Sequence, residues 1–229
     1  MHMTTSDCGR KIPAVKRRAT WVAAVSCSLL ALTACDDEIY PAGSFLFDDG
    51  TTQGWVLHGP FDGATEALAG CTLSLGWAAG GQNSPTKPSH GALNIFWSSG
   101  RLDRCLPMTT ASGNVCIEFE SPDLTWDTDT RDVRKFNFYL SNTVGGKVQP
   151  MVKVRKADGS ETFFREVDSR GDPVFQSITA GMHHYSFTNP NPSDRVLKVF
   201  IRVWMSDAEI AMAGRTDHIT QLDFVTPFY

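Results

Sequence analysis

Val148-Gln-Pro-Met-Val-Lys-Val-Arg-Lys156, then Asp158-Gly159, then Glu161-Thr-Phe-Phe-Arg-Glu-Val167 is the stretch that decides the fold class. Both runs are rich in β-branched and aromatic residues, and Asp-Gly between such runs marks a hairpin closed by a tight turn. Outward from this hairpin the same texture recurs. Upstream, Val115-Cys-Ile-Glu-Phe119 and Arg134-Lys-Phe-Asn-Phe-Tyr-Leu140 alternate apolar and polar residues, the second followed by turn residues Ser141-Asn142 and Gly145-Gly146. Downstream, His184-Tyr-Ser-Phe187 precedes Asn189-Pro-Asn-Pro192, and strands are expected over 195–205 and 220–225. The stretch 206–215, with Ala208, Glu209, Ala211 and Ala213, suits one helical turn. No segment holds a helical apolar stripe for three turns, so the chain reads as nearly all β. Many short antiparallel strands predict a two-sheet β-sandwich such as a jelly roll, with a barrel as the second arrangement, and the lack of a fixed repeat argues against a propeller. Residues 80–90, rich in Gly, Asn, Ser and Pro, read as a long surface loop.

The N-terminus has a different character. Arg10, Lys11, Lys16, Arg17 and Arg18 precede the apolar run Trp21 to Leu32, the order of a secretory signal and too short for a membrane span. The run closes on Leu32-Thr-Ala-Cys35, which resembles the lipobox of bacterial lipoproteins, where cleavage exposes a lipid-modified cysteine. The expected organisation is a signal peptide over 1–34, the lipidated Cys35 with a polar tether over 35–44, and one β-sandwich domain over 45–229. Such a chain is exported and held to the cell envelope by its lipid alone. Asp36 beside the cysteine resembles the inner-membrane retention signal of enteric bacteria, a rule not followed in every lineage, so the membrane and leaflet stay open.

Removing residues 1–34 takes five of 21 Lys/Arg and one of 25 Asp/Glu, which leaves 16 against 24 and a formal charge of −8. An acidic domain without a run of Lys/Arg is a poor nucleic-acid binder, because phosphate neutralisation supplies most of that affinity. Cys71, Cys105 and Cys116 remain in an oxidising compartment, where one disulfide and one buried thiol are expected, with all three pairings open.

Phe45-Leu-Phe-Asp-Asp-Gly-Thr-Thr-Gln-Gly-Trp55 resembles the opening strand and turn of galactose-binding-like carbohydrate-binding modules, and Ile219-Thr-Gln-Leu-Asp-Phe-Val225 resembles their closing strand. The resemblance covers the two ends and the strand rhythm between them. It implies a galactose-binding-like β-sandwich whose first and last strands pair, a glycan or polysaccharide partner, and a structural calcium ion, for which Asp48, Asp49 and Asp223 are nominated by position. Calcium requires six to eight oxygens, so these carboxylates would be part of a set, and the alternative is that they cap turns.

Aromatic rings stack on the apolar faces of sugars, which nominates Trp97, Trp126, Trp204 and Tyr185 as ligand-binding residues, each weighed against burial in the core. Glu118 and Glu120, two apart on one strand, place two carboxyls about 7 Å apart on one face, a separation comparable to that in retaining glycosidases. The alternative is a solvent-facing polar row on an outer sheet. Asp127, Asp129 and Asp132 lack the glycine and terminal glutamate of a calcium loop, and the histidines show no zinc spacing. The expected function is a lipid-anchored, non-catalytic carbohydrate-binding module. The alternatives are a glycoside hydrolase or polysaccharide lyase on the same sandwich, and a lipoprotein that docks another envelope protein.

Overall fold

The computed structural model describes residues 44–81, 89–97, 105, 109–124, 133–142, 145–179, 181–213 and 220–228. The segments expected to be signal peptide and tether, residues 1–43 with Cys35, and Trp126 lie outside the described residues. The strands, in chain order, are β1 (Val56–Asp62), β2 (Glu66–Ala67), β3 (Leu73–Gly81), β4 (Ser89–Trp97), β5 (Asn114–Glu120) and β6 (Lys135–Asn142). They continue as β7 (Gly146–Arg155), β8 (Glu161–Arg165), β9 (Gln176–Ile178), β10 (Met182–Thr188), β11 (Arg195–Ser206) and β12 (Thr220–Phe228), with a helix, α1 (Asp207–Ala213), between the last two.

These strands form a two-sheet antiparallel β-sandwich, the fold class expected. The larger sheet runs β2-β1-β5-β11-β7-β8, with β9 also paired to β7, and the smaller runs β10-β6-β12-β4-β3. The alternation read in the sequence is the alternation that buries. In β6, Phe136, Phe138, Leu140 and Asn142 point inward while the residues between them are half-exposed. In β5, Val115, Ile117 and Phe119 are fully buried, and β11 adds Ile201, Val203 and Met205. Leu93, Ile95 and Leu222 face them from the smaller sheet in one continuous core, each such side chain stabilising by roughly 1.5–3 kcal/mol when buried.

The hairpin forms as expected, with Arg155 opposite Glu161. Asp158 accepts hydrogen bonds from the Ser160 N–H at 2.8 Å and hydroxyl at 2.6 Å, and Gly159 supplies the positive φ of 83°. The helical turn is α1, opened by a capping box: Ser206 N–H donates to Glu209 Oε2 at 2.7 Å, and Glu209 N–H donates back to Ser206 Oγ at 3.3 Å. Cys71 pairs with Cys105 at a Cα separation of 4.8 Å, and Cys116 is the buried thiol.

Two expectations are corrected. The segment from Phe45 is not a strand but an isolated antiparallel bridge, Phe45 to Val225, with N–H···O distances of 2.8 and 3.0 Å. Phe47 and Gln53 adopt positive φ of 57° and 49°, so the chain curls instead of extending. Its ring is fully buried and its carbonyl accepts from Trp77 Nε1. The expected loop over 80–90 is also shorter at both ends, because β3 reaches Gly81, β4 begins at Ser89, and these two residues pair.

Candidate ligand-binding face

The outward-pointing residues of the larger sheet form ordered rows, because antiparallel pairing holds cross-strand neighbours opposite one another. One row runs His58, Glu118, Arg202, Gln149 across β1, β5, β11 and β7. On one side of it lies a row with Phe61, Cys116, Trp204 and Lys147, and on the other a row with Val56, Glu120, Phe200, Met151 and Arg165. Successive rows are about 7 Å apart, so Trp204 and Phe200 are about 13 Å apart along β11.

Each flanking row carries an aromatic pair. Phe175, from the segment between β8 and β9, meets Trp204 edge-on at a centroid distance of 6.0 Å. Phe163 of β8 meets Phe200 edge-on at 5.3 Å. Phe163 and Phe175 are 56% and 39% exposed, against 6% for Phe200, so in each pair one ring is presented to solvent by the ring beneath or beside it.

The polar row between them is held in place by charge. Arg202 Nε donates to Glu118 Oε2. Glu120 Oε2 is 2.7 Å from His58 Nε2, and Glu120 Oε1 accepts from Lys198. Burial pushes the Glu120 carboxyl up, but hydrogen bonds from Lys198 and His58 outweigh it and hold the carboxyl below its ordinary value. The hydrogen bond to Glu120 in turn raises Lys198. An acid held below its ordinary value does not suit the general-acid role of a glycosidase, which needs a raised pKa. Cys116 lies beneath this face, and burial pushes its thiol up to about 12, which removes it as a nucleophile.

Gln149 and Trp204 bring unmet donor capacity to the face. Along β7, β9 pairs with Gly146 to Val148 and β8 with Met151 to Arg155. Gln149 and Pro150 sit in the gap. Pro150, which has no N–H, is tolerated on that side, and Gln149 is 2% exposed. Gln149 Nε2 and Trp204 Nε1 are buried with no hydrogen-bond acceptor among the described residues, a condition rare in folded proteins.

The structure separates the residues nominated from sequence. Trp204 is half-buried on this face, and Glu118 and Glu120 are on it. Trp97 and Tyr185 are not: both are 6% exposed and belong to the core, with Tyr185 stacked on Phe138 at 5.7 Å. A ring packed between the sheets has no face to offer a sugar, so the stacking role assigned to these two is withdrawn. Position along an alternating strand decides this, and in both cases the inward parity wins. Gln149, Phe163 and Phe175 were missed. Phe163 was legible as a strand aromatic, whereas nothing local marks Phe175.

Two of the carboxylates nominated for calcium have hydrogen-bond partners in the structure. Asp49 is exposed and accepts from Thr51 N–H and hydroxyl at 3.0 and 2.9 Å, the turn-capping role. Asp223 is fully buried and its Oδ1 accepts from Phe224 N–H at 2.8 Å. Among the described residues no three Asp, Glu, His or Cys side chains group as metal ligands.

No family model matches the chain, and no curated protein matches it in sequence. Solved structures similar to it are carbohydrate-binding modules of the β-sandwich type. One, from work on the promiscuous specificity of such modules, is 12% identical over 81% of this chain, which spans 61% of that one, at a TM-score of 0.47. Another, a family 61 module in complex with β-1,4-galactotriose, is 14% identical over 80% of this chain and 93% of its own, at 0.44. A third, a xylan-binding domain of Paenibacillus barcinonensis Xyn10C, is 13% identical over 80% and 92%, at 0.43. At this identity and superposition none of them carries a ligand over to this chain.

Proposed function

We propose that this chain is a lipid-anchored, non-catalytic carbohydrate-binding module whose glycan lies across the outer face of the larger sheet, from Phe175 and Trp204 to Phe163 and Phe200. The observation that carries this reading is the polar row of His58, Glu118, Arg202 and Gln149 flanked on each side by an aromatic pair. Aromatic rings cover the apolar faces of sugar rings, while amide, guanidinium and carboxylate groups bond their hydroxyls. Gln149 Nε2 and Trp204 Nε1 are the donors a sugar oxygen would satisfy. Glu118 and Glu120 orient cations in this reading and do not turn over substrate. The lipid attachment is supported by the sequence Leu32 to Cys35, and it places the face in the envelope, where polysaccharide is at hand.

The test is glycan-array binding by the soluble domain from residue 37 onward, with Phe175→Ala and Phe163→Ala beside the parent. Specific binding weakened about three- to tenfold by each variant is expected, since an aromatic contact contributes about 0.5–1.5 kcal/mol. A blank array would overturn the reading in favour of protein docking. For the anchor, the full chain should fractionate with membranes and Cys35→Ala should release it; release of the parent as well would remove the lipid from the proposal.

A further inference from the structure

The charges on the same face are not those of the whole chain. Cations dispersed along the sequence are gathered there by strand pairing: Lys147, Lys153 and Arg155 from β7, Arg165 from β8, and Arg195, Lys198 and Arg202 from β11. Seven Lys/Arg thus face outward against Glu118, Glu120, Glu161 and, 3.5 Å from Lys198, Asp123, a surplus of three positive charges on a chain whose sandwich and tether are net acidic.

The three glutamates are spent on neighbours. Glu118 takes Arg202, Glu120 takes Lys198 with His58, and Glu161 takes Lys153 at 2.6 Å and Arg155 at 2.7 Å. Lys147, Arg165 and Arg195 are exposed and make no ion pair among the described residues. Two of them stand beside the aromatic pairs. Lys147 is the cross-strand neighbour of Trp204. Arg165 is opposite Met151, which is opposite Phe200. Lys147 and the row of Arg165 are four residues apart along β7, about 13 Å. An unpaired cation beside each ring pair, at a fixed interval, suits a chain of sugars that repeats a negative charge, because each ring pair then stacks a sugar while its cation meets that sugar's anionic group. A neutral glycan would leave these cations with nothing to pair.

We infer that the ligand of this face is an anionic polysaccharide, carrying carboxylate or sulfate groups, with Lys147 and Arg165 as the residues that select for the charge. This rests on the glycan-binding reading above and narrows its substrate class. Affinity and salt dependence separate the two. The parent, Lys147→Gln, Arg165→Gln and the double variant are titrated with a polyuronate, a sulfated galactan, and neutral xylan and galactan, at about 50 and 500 mM NaCl. Lys156→Gln, in the hairpin turn and off the face, serves as the control. Binding to a polyuronate or sulfated polymer is expected, at least about threefold weaker at high salt, about threefold weaker in each single variant and about tenfold weaker in the double, as for exposed charge pairs. The polymer that binds tells carboxylate from sulfate. Binding to neutral polymers alone, unmoved by salt or by the variants, overturns the charge selection and leaves the glycan reading standing. Loss of all four polymers overturns both, and equal binding to duplex DNA overturns the selection for glycan.

Discussion

Glu120 shows how much a single side chain on this face depends on its neighbours. Removed from water by the sheet, its carboxyl would resist ionisation. Lys198 and His58 reverse that and bring it below its unfolded value of 4.5. A carboxyl depressed in this way contributes its full stabilisation above the unfolded value and loses it as pH falls through the folded one. Glu120→Gln is therefore expected to melt below the parent at pH 7, with the gap closing as pH falls from 4.5 through the depressed folded value and the carboxyl becomes uncharged like the amide. Thermal unfolding across that range checks it, and a gap independent of pH would mean that the loss is one of packing. His184 adds to the acid limb: burial first, then Lys135, lower its pKa, so protonating it also costs stability as pH falls below the ordinary histidine value.

At the scale of the element, the hairpin of β7 and β8 is the most locally determined piece of the molecule. Its turn uses Asp158 as acceptor and Gly159 at positive φ, and a Cβ added at Gly159 meets nothing within 4 Å. The cost of Gly159→Ala is thus backbone strain alone, about 1 kcal/mol, measurable by urea unfolding, with glycan binding unchanged. Gly146 provides the contrast, since a Cβ there would lie 2.4 Å from the Trp204 carbonyl oxygen; β7 passes under the binding face only because that residue has no side chain. Such local signals explain which strands were legible. β6 alternates cleanly because one face of it is buried, and β5 does so from Ile117 to Glu120. β1 is interrupted by Gly59-Pro60 and a register shift after His58, and β3 contains Gly76, over which Phe96 lies. Neither shows a period that could be read without its partners.

Across the whole molecule, the Cys71–Cys105 disulfide closes a sequence separation of 34 residues and ties the chain before β3 to the segment after β4. By loop-closure entropy a cross-link of that length is worth about 4 kcal/mol. The Cys71→Ser, Cys105→Ser double variant is expected to lose about 2–4 kcal/mol of unfolding free energy in urea, and Cys116, buried and with its thiol pushed up to about 12, supplies no alternative partner in the folded state. A loss well under 1 kcal/mol would mean that the unfolded chain keeps these segments together without the bond.

The all-β class, the hairpin, most of the later strands, the helical turn at Ser206 and the number of disulfides were legible in the order of residues alone. These rest on local periods, turn chemistry and residue counting, which act over a few neighbours or need no geometry. Strand pairing in three dimensions was needed to show which of three cysteines pair, that Trp97 and Tyr185 turn inward while Trp204 turns out, and that Phe163, Phe175 and Gln149 share a face with Glu118 and Arg202. It also decided that a net-acidic chain gathers its cations on one sheet. The reason is register: β5, β7, β8 and β11 come from distant parts of the chain, and a shift of one residue in any pairing would send each of these side chains to the opposite face.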